Sequence, residues 1–243
     1  DNSISKYVKP STTHMLDLRE YENLEVIFSS ERPELIVHFA AQSIFLKGLN
    51  SPHLTFSTNL MSTVNILEAA RKYNPNTIVV ASSDKVYQAN NVAHREDDAL
   101  GGQDPYSASK ACVEHVVEAY QSLVTFPIAT VRAGNVIGGG DFGEKRLVPD
   151  WIRSKQNKGL LEVRNVNHVR PWIYVLDALF GYLLILEHLC INKPSRGGAW
   201  NIGSSENISV GQLLSALEAH WVSPDEAQSP SIHHHNQQEE QTE

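Results

Sequence analysis

No glycine occurs in this chain before Gly48, and its 243 residues hold only two cysteines and two methionines. Each scarcity excludes something. Cys112 and Cys190 carry no CxxC spacing, so no disulfide framework is expected and a reducing cytosol is the default setting. Long apolar runs are missing too. The longest candidate, Ile173 to Leu189, is interrupted by Asp177 and Glu187 and suits a buried strand and helix better than a membrane span. The first residues show neither a basic n-region nor an apolar h-region, so no secretion signal is read there. Positive charge is outweighed: 20 Lys and Arg against 28 Asp and Glu leave a formal charge of −8. That balance argues against a nucleic-acid binder, while leaving room for a local basic pocket around a phosphorylated ligand. What the chain does have is 41% hydrophobic and 20% charged residues, the makeup of a soluble globular protein with a sizeable core.

Apolar runs and helical periodicities then alternate. After a polar, unpatterned start, His14 to Arg19 reads as a short strand ending in charge. Tyr21, Leu24, Ile27 and Phe28 follow at helical spacing, and Arg32-Pro33 ends that helix. Leu35 to Ala41 is a continuous apolar run, the pattern of a strand covered on both faces. A helix is expected over Leu54 to Lys72, opening near Ser51-Pro52, then a strand at 77–81. A further helix runs to about Leu123, and Ile128 to Arg132 is another strand. Strands alternating with helices imply a parallel, doubly wound α/β sheet. After Gly134 the texture changes, with a flexible Gly138-Gly139-Gly140-Asp141 and a mixed basic and apolar stretch to about Arg170. Residues 1–135 therefore read as the sheet domain and 136–222 as a mixed lobe, with a returning strand and helix near 172–189. Residues 223–243, rich in Gln, Glu, Ser and His, read as a disordered tail. Its His233-His234-His235 run is read as solvated, and no metal site is expected.

The chemistry concentrates between residues 78 and 110. Ile78-Val79-Val80-Ala81 ends in Ser82-Ser83-Asp84-Lys85, so a buried strand delivers a hydroxyl, a carboxyl and an amine to its C-terminal end. In open α/β sheets that end is where ligands bind. Tyr106 and Lys110 lie four apart and share one helix face. An ammonium beside a phenol favours phenolate, which would suit Tyr106 to acid–base work. A Tyr-x-x-x-Lys pair recurs by chance on many helices; its context gives this one meaning.

With that context the chain resembles the extended short-chain dehydrogenase/reductase family, the NAD-dependent epimerases and dehydratases of nucleotide sugars. The resemblance rests on segments in order: His38-Phe39-Ala40-Ala41-Gln42, Ser57-Thr58-Asn59, Ser83-Asp84-Lys85, Asp104-Pro105-Tyr106-Ser107 and Arg132 to Asp141. It continues through Arg146 to Asp150, Arg170-Pro171-Trp172 and Trp200 to Gly203, spanning roughly residues 16–221. It is nearest the members that dehydrate CDP-glucose between C4 and C6. The resemblance implies a Rossmann-type sheet, NAD as cofactor, and a nucleotide-diphosphate sugar as substrate. It assigns Tyr106 to deprotonate the C4 hydroxyl, Lys85 to take the C5 proton, Asp84 to protonate the departing C6 oxygen, and Ser83 to hydrogen-bond the C4 oxygen. Lys110 would hold ribose and lower the Tyr106 pKa. Asp17, Leu18, Phe39, Ala40, Ala41 and Asn59 would line the cofactor trough, and Asn135, Arg146, Leu147 and Arg170 would face the substrate. Many related dehydratases carry Glu where this chain has Lys85, and lysine suits a base role where its pKa is depressed. A homodimer through the helices of 54–72 and 106–123 is also implied.

One departure qualifies this. The family's glycine-rich turn, which lets backbone approach a pyrophosphate at a helix N-terminus, is not found, since no glycine precedes Gly48. The strand read at 14–18 would be the third of the order 3-2-1-4-5-6, leaving the first two missing and the 35–41 strand with an exposed edge. The chain therefore reads as N-terminally truncated. Three functions compete: a 4,6-dehydratase, an epimerase or reductase of the same family, and an inactive chain acting only as a partner. Ser83-Asp84-Lys85 favours the first, because epimerisation has no need of an acid and a base for elimination.

Overall fold

In the computed structural model, which describes residues 12–88, 93–157, 159–163 and 165–222, the first helix is α1 (Tyr21–Glu31), followed by β1 (Leu35–His38), α2 (Phe45–Asn50) and α3 (Pro52–Phe56). A π-helical turn, Ser57–Met61, joins α3 to α4 (Ser62–Tyr73), and β2 (Thr77–Ala81), α5 (Pro105–Gln121) and β3 (Ile128–Ala133) follow. The remainder is β4 (Asn135–Ile137), α6 (Leu147–Gln156), β5 (Val169–Arg170), β6 (Trp172–Tyr174), α7 (Val175–Asn192), β7 (Gly198–Ile202), β8 (Ile208–Ser209) and α8 (Val210–Ala219). The main sheet has the order β1-β2-β3-β7, every neighbour parallel. Two small pairs, β4 with β6 and β5 with β8, stand apart from it.

Alternation along β2 sorts the core into two layers, as the period of two in a strand requires. Ile78 and Val80 pack with Leu24 and Phe28 of α1, Ile66, Leu67 and Ala70 of α4, and Val113 and Val117 of α5. Val79, with Ala129 and Val131 of β3, faces the other way onto Tyr182, Ile185, Leu186 and Leu189 of α7. The doubly wound α/β reading therefore holds. Strand β7 and helix α7, from the stretch read as the lobe, return to this main sheet.

The scarcity of glycine shows at the helix ends. Arg32, Asn74 and Lys193 close α1, α4 and α7 in the left-handed region, at φ of 45°, 54° and 43°. Glycine is the usual occupant there, and for Arg and Lys the conformation costs about 1 kcal/mol.

Several expectations are corrected. Residues 12–17 form no strand. Among the described residues no strand lies alongside for them to pair with. Leu16 and Leu18 pack against the core instead, and Asn65 Nδ2 donates to Leu18 O at 2.9 Å. The run at 35–41 is not covered on both faces. Strand β1 ends at His38, and Leu35 and Val37 stay 48% and 37% exposed, while Ile36 and His38 turn toward the helices. The helix expected over 54–72 is three pieces, because the π-helical turn interrupts it. Helices α2 and α6 formed where no period was read. Helix α7 is long and apolar enough by length and composition to cross a membrane, with mean hydropathy 1.5. One face packs on the sheet, while Leu176, Phe180, Leu183 and Ile191 are exposed. The tail 223–243, with His233-His234-His235, lies outside the described residues.

Candidate active site

Strand β2 is buried along its length and stops at Ala81, where the chain turns out of the sheet. Ser83, in extended conformation, caps the short 3-10 turn Asp84–Val86 by accepting from the Lys85 backbone N–H at 3.3 Å. Its hydroxyl donates to Asp84 Oδ1 at 3.1 Å. A capping serine at a strand end thus fixes where the neighbouring carboxyl and amine emerge.

Helix α5 is started as firmly. Asp104 at its N-cap accepts from the backbone N–H groups of Tyr106 at 2.9 Å and Ser107 at 3.1 Å, and Pro105 occupies the first turn. One turn on, Lys110 reaches back to the sheet, its Nζ donating to Ala81 O at 2.7 Å. Tyr106 and Lys110 are 8% and 6% exposed. The Lys85 ammonium lies 5.8 Å from the Tyr106 ring centre. The structure therefore brings together Ser83, Asp84, Lys85, Tyr106 and Lys110, as the spacing led us to expect.

The electrostatics correct one expectation. Burial raises the Tyr106 pKa above the ordinary phenol value, reinforced by the Asp84 charge and opposed by the nearby Ser83 hydroxyl and the Arg146 charge. Lys110 is not among the main influences, for its ammonium turns to the Ala81 carbonyl. Burial also lowers Lys110, to about 8, against the opposing pull of Glu114. His38, hydrogen-bonded to Thr63 at 3.2 Å, is held to about 4 by burial and by the Lys110 charge.

The residues expected on the cofactor trough divide. Phe39, Ala40 and Ala41 follow β1 at the same end of the sheet, and the Phe39 ring meets Tyr182 of α7 at 4.8 Å between centres. Asn59 sits on the π-helical turn and is buried. Its amide is spent internally, accepting from Gln42 N at 2.7 Å and donating to Gln42 O at 3.1 Å and Ser109 Oγ at 2.9 Å. It pins the loop after β1 to α5. Asp17 lies in an exposed turn, where the Arg19 guanidinium holds its carboxyl near 2. Leu18 packs into the α1–α4 layer.

Of the residues expected to face substrate, Arg146 lies near enough to Tyr106 for its charge to act on the phenol. It stands at the N-cap of α6, pairs with Asp141 at 3.0 Å and donates through Nη2 to Ser43 Oγ at 2.8 Å. Leu147 begins α6, and Asn135 begins β4, its backbone N–H bonded to Pro171 O at 3.0 Å. Arg170 is on the separate β5–β8 pair and contacts His168 at 3.3 Å.

Sequence reading missed Ser43, the role of Asp141, and a buried network behind the site. There Arg132 meets Glu114 twice, Nε to Oε1 and Nη2 to Oε2 at 3.0 Å, and donates to Tyr87 Oη at 2.9 Å. Tyr87 Oη in turn donates to Asn201 Oδ1 at 2.6 Å. Nothing in the spacing of these residues marks them as partners, since they lie up to 114 positions apart.

The cofactor implied by the resemblance can be tested against these groups. Lys110 spends one of its three N–H bonds on Ala81, and the neighbouring Ser82 Oγ is buried with no partner among the described residues. Such donors and hydroxyls suit the ribose and carboxamide end of a dinucleotide. Among the described residues no glycine precedes Gly48, so the first strand and helix carry no glycine-rich turn for its pyrophosphate; the Gly138-Gly139-Gly140 turn lies after β4 instead. No three of His, Cys, Asp or Glu in the described residues gather as a metal site would require.

Comparison with known proteins follows the same lines. A profile of the NAD dependent epimerase/dehydratase family matches residues 2–203. The CDP-glucose 4,6-dehydratase of Salmonella typhimurium is 37% identical over 203 residues, covering 79% of this chain and 56% of the relative. The UDP-glucose 4-epimerase of Thermotoga maritima, solved with UDP-glucose, superposes with a TM-score of 0.79 at 23% identity, covering 90% of this chain and 72% of that one. The UDP-glucose 4-epimerase of Thermus thermophilus, solved with NAD, gives 0.73 at 27% identity, covering 84% and 67%. The chain thus spans little more than half the length of its Salmonella relative.

Proposed function

The chain belongs to the NAD dependent epimerase/dehydratase family, and from that premise we propose that it carries the active site of a nucleotide-sugar 4,6-dehydratase acting on CDP-glucose. The observation that carries this reading is the Ser83-Asp84-Lys85 turn facing Tyr106. Elimination across C5 and C6 needs an acid and a base besides the group that serves C4, and this turn supplies both. The Salmonella relative supports it. Epimerases stand close by as well, but that reading leaves Asp84 and Lys85 without work.

In the proposed mechanism Tyr106 takes the C4 hydroxyl proton, with Ser83 hydrogen-bonding the same oxygen. Lys85 removes the C5 proton and Asp84 gives one to the departing C6 hydroxyl, so water leaves a C5–C6 double bond; once the hydride lost from C4 is returned to C6 and Lys85 gives a proton back to C5, a 4-keto-6-deoxy sugar results. NAD, when bound, would supply the redox half of this chemistry. Lys110, Phe39, Ala40 and Ala41 would hold its nicotinamide and ribose end, Asp17 and Leu18 its adenosine, and Asn59 would act by fixing the loop after β1. Arg146, Leu147, Asn135 and Arg170 would face the nucleotide diphosphate, the parts of 136–222 outside the main sheet forming the substrate lobe, while β7 and α7 join residues 1–135 on the cofactor side. A homodimer through the outer faces of α3, the π-helical turn, α4 and α5, where Leu54 and Met61 are exposed, completes the proposal. The cytoplasm is its setting, in keeping with unpaired Cys112 and Cys190.

The test is direct. Incubated with CDP-glucose and NAD, the purified chain should yield the alkaline absorbance of a 4-keto-6-deoxy sugar. No product, together with no NAD binding by calorimetry, favours the inactive-partner reading instead.

A further inference from the structure

The loop before α6 is shaped around one arginine. Asp141 Oδ1 accepts from the Gly143 backbone N–H at 2.9 Å, and its Oδ2 accepts from Arg146 Nη1 at 3.0 Å. Gly143 stands where a side chain would press on both partners. A Cβ there would lie 3.0 Å from Arg146 Cδ, 3.1 Å from its Nε and 3.0 Å from Asp141 Oδ1. Gly140, at φ of 82°, makes the preceding turn in the left-handed region. The loop is moored to α6 by Arg153, which donates to Phe142 O at 3.2 Å and Gly143 O at 2.9 Å while pairing with Asp150. On its other side Arg146 meets Ser43, just past the end of β1. A long, half-exposed side chain is therefore gripped from both sides before any ligand arrives.

We propose that Asp141 is a positioning residue for nucleotide-diphosphate binding, holding the Arg146 guanidinium in the orientation that meets the diphosphate. The proposal rests on Arg146 being a diphosphate contact. A guanidinium recognises phosphate through a rigid fork, so its orientation decides how many bonds form. Ordering that fork in advance removes a cost that binding would otherwise carry. A carboxylate nearby also repels an anion, and with Asp141 27% exposed, solvent screens that repulsion only in part. The two effects have opposite signs, and a measurement of affinity separates them.

The test is calorimetric titration of the purified chain with CDP and with UDP. Arg146→Ala should weaken binding at least tenfold. Asp141→Asn, which keeps shape and removes charge, should weaken it about threefold, as should Asp141→Glu, which keeps the charge but shifts it along the loop. In the Arg146→Ala background Asp141→Asn should change nothing further, because the effect passes through the arginine. Thermal melts of each variant confirm that the fold is retained. Full-strength or tighter binding by Asp141→Asn overturns the proposal, and so does an equal loss in both backgrounds. If Arg146→Ala binds normally, or neither nucleotide binds the unaltered chain, the diphosphate reading of Arg146 itself fails. A loss on Arg146→Ala with none on Asp141→Asn refutes the Asp141 role alone.

Discussion

Lys110 Nζ donates to the carbonyl of Ala81, 2.7 Å away and 29 positions earlier in the chain. The bond joins the second turn of α5 to the last residue of β2, so Tyr106 and the Ser83-Asp84-Lys85 turn are held in one frame. Chemistry that needs both is carried by two elements that cannot drift independently.

Replacing the phenol tests that frame. Tyr106→Phe should leave the circular dichroism spectrum unchanged and lower turnover of CDP-glucose by roughly 10²- to 10⁴-fold, the usual worth of a positioned acid–base group. Lys85→Met should abolish solvent deuterium uptake at C5 of the sugar, read by mass spectrometry of the product. Uptake at the unaltered rate would remove Lys85 from the base role.

Acid should weaken the fold through His38. Its ring is held to about 4 against an unfolded value of 6.5, so between those values the unfolded chain binds a proton that the folded one refuses. Stability therefore falls as pH drops from 6.5 toward 4, by on the order of 3 kcal/mol if the whole shift is expressed. Urea midpoints at pH 7 and pH 5 should differ more for the natural chain than for His38→Gln.

The ion pair behind the site should be costly to halve. Glu114→Gln leaves Arg132 buried beside Thr130 and Tyr87 with its charge uncompensated, which costs about 3–5 kcal/mol. Urea unfolding gives the value directly. A loss below 1 kcal/mol would mean that water reaches the guanidinium.

Lys193, at φ of 43°, offers the opposite outcome. Lys193→Gly removes the left-handed penalty at the end of α7 and should stabilise by about 1 kcal/mol, seen as a higher midpoint in thermal melts. Arg32 is a poorer target, since its guanidinium also donates to Ser29 O and lies over the Tyr73 ring.

The sequence made the core of this picture readable because its signals are local. The apolar run 78–81 and the spacing from Tyr106 to Lys110 lie within one element each, and the structure returned both. What stayed hidden depends on distant partners. Residues 14–18 have strand composition, yet a strand requires a neighbour, and none of the described residues provides one. The Leu35 to Ala41 run looks covered on both faces because composition cannot reveal that, among the described residues, nothing covers Leu35 and Val37. Arg146 could be singled out from its neighbours in sequence; its partner Ser43, 103 positions away, could not. The direction of the Tyr106 pKa was misjudged for a related reason, since spacing predicts that Lys110 is near but not where its ammonium points.

The π-helical turn at Ser57–Met61 has a consequence for length variation. Such a turn amounts to one residue more than an α-helix needs over the same rise. Deleting a single residue there would regularise the hydrogen bonding and lengthen a continuous helix, a local gain. It would also swing α3 by about 100° around the axis of α4, carrying Asn59 away from Gln42 and Ser109. An apparent local improvement would thus unfasten the loop after β1 from α5, as losing the Asn59 amide itself would.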